Sequence, residues 1–205
     1  MSGSVVDKLC AALIELLEKK SLEDITVKEL IAKAKISRSS YNYHFYAMED
    51  VLDEIFRRIE HDIWVKICDK PFEPGDHQHH FVIKYIFKAL ELHKDEVRVL
   101  IQSGYRDRLY NMIVSKCIEL GHRHKVAYID ESGKIRTLQN GPTLDLYVAE
   151  FCYAMIPRID YYLSYDFEIS PAEACKFFKQ VNDTRRRIND YANIYLINNW
   201  QKFNY

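Results

Sequence analysis

Two helix starts separated by a tight turn constrain the fold of this chain more than any other sequence feature. Thr26-Val-Lys-Glu29 is a capping box, in which the Thr26 hydroxyl accepts the amide of Glu29 and the Glu29 carboxylate accepts the amide of Thr26. After a turn at Lys35-Ile36, Ser37 is placed to cap a further helix. Because each cap begins a helix, we predict two short helices joined by this turn.

An amphipathic helix precedes this pair. Apolar residues recur at three- and four-residue spacing from about Ser4 to Lys20, which predicts a first helix there. The residues of this stripe are Val6, Leu9, Leu13, Leu16 and Leu17. Three short helices with a tight turn between the second and the third form a helix-turn-helix arrangement.

The rest of the chain is also predicted to be helical, so the fold class is all-α. Glycine (6) and proline (5) are scarce in the 205 residues, which favours helices over a turn-rich β fold. A long amphipathic helix over 48–69 is about 30 Å long, enough to bridge two lobes. We therefore predict a helix-turn-helix domain at 1–47 and a helical domain at 48–205. Within the second domain, Val126–Leu138 is predicted to form a small β-hairpin or an ordered loop.

Composition indicates a cytoplasmic protein. The net charge of −1 excludes a generally basic coat for nucleic acid, so any DNA contact needs a local basic patch. No apolar run is long enough to span a bilayer, and the N-terminus lacks a signal-peptide pattern. The five cysteines are scattered and odd in number, which is typical of buried thiols in a reducing compartment, although oxidation sensing by one of them stays an alternative.

The third helix is expected to expose short polar and aromatic side chains. With about 100° between successive residues, Tyr41 and Phe45 face the core of the small domain. The opposite side, which we name the recognition face, contains Ser39, Asn42, Tyr43 and Tyr46. Hydrogen-bonding groups and aromatic rings of this size suit the major groove of DNA.

Individual roles follow from donor and acceptor chemistry. Arg38 can reach a guanine or a phosphate, and Asn42 can pair with an adenine. Phosphates can be held by residues on the flanks of the third helix and at the start of the second helix. The complete set of predicted DNA contacts is Thr26, Lys28, Ser37, Arg38, Ser39, Ser40, Asn42, Tyr43 and His44. Lys28, Lys33, Lys35 and Arg38 outnumber Glu29, so this segment is locally basic.

The segment Lys8–Ile59 resembles the DNA-binding domain of TetR/AcrR-type regulators. The resemblance lies in the order of features: a capped second helix, the run Ser37-Arg-Ser-Ser, the finish Tyr43-His-Phe45, and an acidic start Glu49-Asp-Val-Leu to the fourth helix. The chain departs from the common family pattern at four positions. Lys35 and Ser39 stand where the family often has glycine, Asn42 stands where it often has tyrosine, and Met48 stands where it often has lysine.

The resemblance implies a transcriptional regulator, most often a repressor that a small-molecule effector releases from a palindromic operator. It further implies a homodimer formed by the C-terminal helices, here at about 142–163 and 171–203. An activator or co-regulator that acts through a protein partner on the same scaffold is the alternative. A helical enzyme or ligand carrier is a second alternative. The sequence contains no phosphate-binding loop, GxSxG or HExxH motif that would favour an enzyme.

Aromatic residues are candidates for the effector site in the C-terminal domain. They pack in the core or line an apolar pocket, and the pattern alone leaves both interpretations open. The candidates are Tyr85, Tyr105, Tyr110, Tyr147 and Phe151. Histidines cluster at His77–His80 and at His122–His124, but without metal-type spacing, so we expect no metal site and no cofactor other than an unidentified effector.

Overall fold

The computed structural model of the chain describes residues 4–68, 78–123, 127–129, 132, 134–137, 141–181 and 184. In the N-terminal part the helices are α1 (Val5–Leu17), α2 (Val27–Ala34), α3 (Arg38–His44) and α4 (Met48–Cys68), with a 3-10 turn at Leu22–Asp24. The C-terminal part contains α5 (Gln78–Leu92), α6 (Lys94–Gln102), α7 (Arg106–Arg123), α8 (Pro142–Tyr153), α9 (Ile156–Ser164) and a helical segment at 171–181. The all-α prediction is confirmed.

Side-chain caps fix the starts of the short helices. The Ser4 hydroxyl accepts the amide of Asp7, and the Asp7 carboxylate accepts the amide of Ser4, so α1 also begins with a capping box. The predicted box at α2 is confirmed, with the amide of Thr26 2.8 Å from Glu29 Oε2. Each cap satisfies helix-end amides that would otherwise lack a partner.

The N-terminal helices enclose one apolar core. Side chains from α1, α2, α3 and α4 are almost fully removed from solvent, and the largest of them are Leu9, Leu13, Leu30, Tyr41 and Leu52. Burying a side chain of this size contributes about 1.5–3 kcal/mol. Since α3 has only seven residues, this packing and its cap hold it helical rather than its own propensity.

Helix α4 joins the two halves of the molecule. It packs against α1 on one side and against α5 and α7 on the other. Arg58 of α4 forms an ion pair with Asp7 of α1 at 2.8 Å, and Lys116 of α7 lies 3.9 Å from Glu60 of α4. A boundary between 47 and 48 stays a prediction, because the apolar core continues along α4 into both halves.

The predicted helix at about 142–163 is wrong in one respect, because the structure contains two helices there. Helix α8 ends at Tyr153, and α9 begins at Ile156 after a turn at Ala154-Met155. Pro157 lacks an amide hydrogen, and its ring would clash with the carbonyl of Tyr153 in a continuous helix. The proline is tolerated because it lies in the first turn of α9.

The segment after α7 contains a short antiparallel hairpin, one of the two predicted alternatives. Strand β1 (Ala127–Ile129) pairs with β2 (Ile135–Thr137), with Tyr128 opposite Arg136. The capping box that starts the helical segment 171–181 is formed by Ser170 and Glu173, with the amide of Ser170 2.9 Å from Glu173 Oε2. In the described part of the chain, no helix has the length and apolarity needed to cross a membrane.

Candidate nucleic-acid interface

Helix α3 is held on the small domain by its inner face and its first residue. Tyr41 and Phe45 are 2% and 8% exposed, as the helical projection predicts, and their ring centroids lie 6.2 Å apart. The Ser37 hydroxyl accepts the amide of Ser40 at 3.1 Å, which confirms the predicted cap. The helix therefore has one orientation on the domain, and its opposite side faces solvent.

The outward side of α3 is fully accessible. Tyr43 is 84% exposed, and its ring meets the imidazole of His44 edge-on at 5.0 Å. Of the other predicted contacts on this helix, Arg38, Ser39 and Asn42 are exposed and Ser40 is half-buried. A tyrosine ring that is this exposed stays in contact with water until a binding partner covers it.

Three serine hydroxyls at the start of α3 already hydrogen-bond to one another. Ser37 Oγ lies 2.8 Å from Ser39 Oγ and 2.9 Å from Ser40 Oγ. A hydroxyl carries one donor and two acceptor sites. Ser37 Oγ uses all three, because it also accepts the amide of Ser40, whereas the hydroxyls of Ser39 and Ser40 keep free sites for a phosphate or a base edge. The cluster holds these side chains at the end of the helix from which Arg38 projects.

The amide and hydroxyl of Thr26 are both engaged by Glu29, at 2.8 Å in each case. Lys20 lies 2.5 Å from the same carboxylate. The hydrogen bond from Lys20 and those from Thr26 lower the pKa of Glu29 to about 2. Because the start of α2 has an internal anion, a phosphate there depends on the exposed ammonium of Lys28 more than on Thr26.

The turn between α2 and α3 requires a left-handed residue. Lys35 has φ 54° and ψ 48°, and its amide bonds back to the carbonyl of Ala32. A non-glycine residue in this region is strained by about 1 kcal/mol. The exposed ammonium of Lys35 follows directly before α3.

The positive charge of this surface comes from three side chains. Lys33 is paired with Glu15 of α1, so it does not belong to the free charge of the predicted patch. Lys28, Lys35 and Arg38 form no ion pair within the described part of the chain. Lys35 and Arg38 lie at the start of α3, and Lys28 lies in the first turn of α2.

Tyr46 lies beyond α3, although the helical projection places it on that helix. The helix ends at His44, and Phe45 is extended with φ −140° and ψ 144°. Tyr46 is 98% exposed, and its amide donates to Asp50 Oδ2 at 2.8 Å. Tyr46 is not one of the predicted DNA contacts. Because the neighbouring Phe45 must turn into the core, the sequence indicates that Tyr46 is exposed.

Several polar contacts connect the small domain to the C-terminal helices through α4. Arg58 bonds Glu54 within α4 and also reaches Asp7 of α1. At the α6–α7 junction, the Ser103 hydroxyl donates to the carbonyl of Leu17 at 3.3 Å, and the guanidinium of Arg108 lies 4.3 Å from the ring centroid of Phe56. Displacement of the α6–α7 junction would therefore change its contacts with both α1 and α4.

The predicted effector residues do not share one environment. Tyr85 and Tyr110 are buried, Tyr105 and Phe151 are half-buried, and Tyr147 is 36% exposed. The Tyr110 hydroxyl donates to Asp160 at 2.6 Å. Burial, together with this hydrogen bond, raises the pKa of Tyr110.

Three buried donors have no hydrogen-bond partner among the described residues. They are the hydroxyl of Tyr41 on α3, the indole Nε1 of Trp64 on α4 and the hydroxyl of Tyr162 on α9. The Tyr162 ring stacks on Phe87 with centroids 4.4 Å apart. A buried donor without a partner costs about 1–3 kcal/mol, so a bound polar group would stabilise it.

Cys10, Cys117 and Cys152 are buried free thiols, and Cys175 is half-buried. Burial raises the pKa of Cys10 to about 11, which keeps this thiol protonated and unreactive at neutral pH. No cluster of metal-ligating side chains occurs in the described part of the chain. His77 and His124 lie outside that part.

Comparison with known proteins identifies a fold and no closer relative. No protein family model matches the sequence, and no curated protein matches it. The crystal structure of a TetR transcriptional regulator from Streptococcus agalactiae 2603V matches 86% of this chain and 92% of its own chain, with 16% identity and a TM-score of 0.54. The protein therefore has the fold of a TetR transcriptional regulator.

Proposed function

We propose that the protein is a cytoplasmic, homodimeric transcriptional regulator that binds double-stranded operator DNA through α3. A repressor that a small-molecule effector releases from a palindromic operator is the form best supported. The observation that carries this proposal is the solvent-exposed recognition face of a helix whose inner side is fixed by Tyr41 and Phe45. A surface with an 84% exposed Tyr43 beside Asn42 and Arg38 matches the groups that contact base edges.

The C-terminal helices supply a face for the dimer. Several large apolar side chains of α8, α9 and the segment 171–181 are exposed on the chain, namely Leu146, Tyr147, Tyr153, Tyr161, Phe177 and Val181. Exposed apolar area of this extent marks a surface that binds another protein. We assign it to a second copy of the chain, because a two-fold operator requires two identical DNA-binding domains.

The effector is assigned to the C-terminal helices, where Trp64 and Tyr162 supply buried donors. Ligand pockets combine an apolar lining with a few polar groups. The aromatic candidates for such a lining are Tyr85, Tyr105, Tyr110, Tyr147 and Phe151. An effector shifts the conformational equilibrium only if it binds one state more tightly. Trp64 is part of α4, so a ligand that engages it would act directly on the helix that touches both halves.

The experiment is a selection of duplexes from a random-sequence pool with the purified protein, followed by sequencing of the bound fraction. We expect an inverted repeat whose half-sites are separated by about 34–36 Å or one helical turn more. A duplex upstream of the gene is tested in parallel. Enrichment of a single unrepeated site would contradict the dimer, and the absence of any enriched sequence would contradict sequence-specific recognition.

A further inference from the structure

The start of α4 differs from an ordinary phosphate-binding helix start, because a carboxylate occupies it. Asp50 Oδ2 accepts the amides of Tyr46 and Ala47, each at 2.8 Å. The amides of Ala47 and Tyr46 lower the pKa of Asp50, so the group is an anion at neutral pH. These two amides are therefore not available to a DNA phosphate.

Met48, the first residue of α4, does not supply a phosphate contact in place of these two amides. Its side chain is 8% exposed and belongs to the apolar core. Between the buried Phe45 and Met48 lie two exposed residues, Tyr46 and Ala47. Ala47 carries only a methyl group, so the side chain in this turn that can donate a hydrogen bond to DNA is that of Tyr46.

Tyr46 has the exposure and the backbone support that such a contact needs. Among residues 4–64, the large apolar side chains that are exposed are Tyr43 at 84% and Tyr46 at 98%. The carboxylate of Asp50 accepts the amide of Tyr46 and holds its backbone in place. Binding therefore costs only the conformational freedom of the Tyr46 side chain. A tyrosine hydroxyl donates one hydrogen bond, and charged acceptors strengthen it.

We infer that Tyr46 contacts the sugar-phosphate backbone of the bound duplex, with its hydroxyl donating to a phosphate oxygen beside the groove that α3 enters. This inference rests on the proposed DNA-binding function. A contact to phosphate positions the protein on the duplex without reading its sequence. Tyr46 thus supplies the anchor at the C-terminal end of α3, and Arg38 and Lys35 supply it at the N-terminal end.

The test compares duplex binding by the wild type, Tyr46→Phe and Tyr46→Ala with fluorescence anisotropy. Loss of a hydrogen bond to a charged group weakens binding, and we expect affinity to fall about tenfold in Tyr46→Phe and at least as much in Tyr46→Ala. The preference between a selected duplex and a scrambled duplex is expected to stay unchanged. Tyr165→Phe is the matched control for loss of an exposed tyrosine hydroxyl outside α3; because this hydroxyl meets Tyr161 of the proposed dimer face, size-exclusion chromatography verifies that the variant has the oligomeric state of the wild type.

A methylphosphonate scan locates the contact. Neutralising the contacted phosphate is expected to abolish the difference between the wild type and Tyr46→Phe, and neutralising other phosphates is expected to preserve it. If both Tyr46 variants bind as the wild type does while Tyr43→Ala loses binding, the inference is overturned and the proposed function stands. If Tyr46→Phe changes the sequence preference, Tyr46 reads bases and the inference is also overturned. Absence of wild-type binding overturns both.

Discussion

At the scale of single residues, local rules account for most of the candidate interface. The cap residues Thr26 and Ser37 and the buried pair Tyr41 and Phe45 follow from sequence spacing alone. The exposure of Tyr46 also follows, but its position beyond α3 does not, because projection on an ideal helix assumes that α3 continues past His44. The extended backbone at Phe45 depends on how the chain enters α4, which is a tertiary effect.

Lys35 is a residue whose conformation predicts the effect of a substitution. Its left-handed backbone is unfavourable for a side chain that carries a Cβ, and glycine adopts it without this cost. We expect Lys35→Gly to raise the free energy of unfolding by up to about 1 kcal/mol. Urea denaturation followed by circular dichroism measures this change.

The matched control is Ala32→Gly, which places a glycine in the ordinary helical conformation of α2. There the substitution is expected to lower the free energy of unfolding by about 1 kcal/mol. Equal destabilisation by the two glycines would show that the turn does not need a left-handed residue. The loss of the Lys35 charge is separated by also measuring Lys35→Asn, since asparagine tolerates this conformation.

At the scale of secondary-structure elements, a histidine links α4 to the start of α6. His93 Nε2 lies 2.7 Å from Asp62 of α4, and Nδ1 lies 3.9 Å from Glu96 of α6. Glu96 and Asp62 raise the pKa of His93 above its usual value, and the shorter of the two contacts is the one to Asp62. Arg58 is a further charge that acts on Glu96.

This link predicts a pH dependence of stability. A raised pKa in the folded state means that protonated His93 stabilises the fold below pH 6.5, the ordinary histidine value, and that this contribution is lost as pH rises through the higher folded pKa. We expect the free energy of unfolding to fall over that interval in the wild type and not in His93→Gln. Urea melts at several pH values measure it, with the exposed His61→Gln as control.

An increase in stability with pH over the same interval would contradict this account of His93. Loss of the pH dependence in His61→Gln but not in His93→Gln would show that His61, and not His93, causes it. A direct readout is the chemical shift of the His93 ring during a pH titration, which reports the folded pKa independently of unfolding.

The predicted and observed elements differ most in the C-terminal half. Helices α5, α6 and α7 lie within the domain at 48–205 that the sequence predicts to be helical. The break between α8 and α9 was missed, since the apolar pattern continues through it from Val148 to Ile159. Pro157 was the available signal, and its cost to a continuous helix outweighs the pattern.

At the scale of the whole molecule, the fold is shared with a TetR transcriptional regulator although identity is 16%. The N-terminal pattern was sufficient to predict this fold, because caps and turn residues there are dictated by local geometry. The C-terminal helices carry no comparable local signature, and their arrangement depends on tertiary packing. Buried groups such as Trp64 Nε1 and the Tyr162 hydroxyl become visible only when the helices are assembled.

The central claim is that this molecule binds duplex DNA through the exposed side of α3. The most direct measurement is the salt dependence of duplex binding by the wild type and by Tyr43→Ala, with a thermal melt to verify that the variant keeps its fold. We expect wild-type affinity to fall by at least about tenfold between 50 and 200 mM salt, because bound phosphates release counterions. Tyr43→Ala is expected to lose sequence-specific binding at every salt concentration. Unchanged binding by a folded Tyr43→Ala variant, or wild-type affinity that does not depend on salt, would contradict the claim.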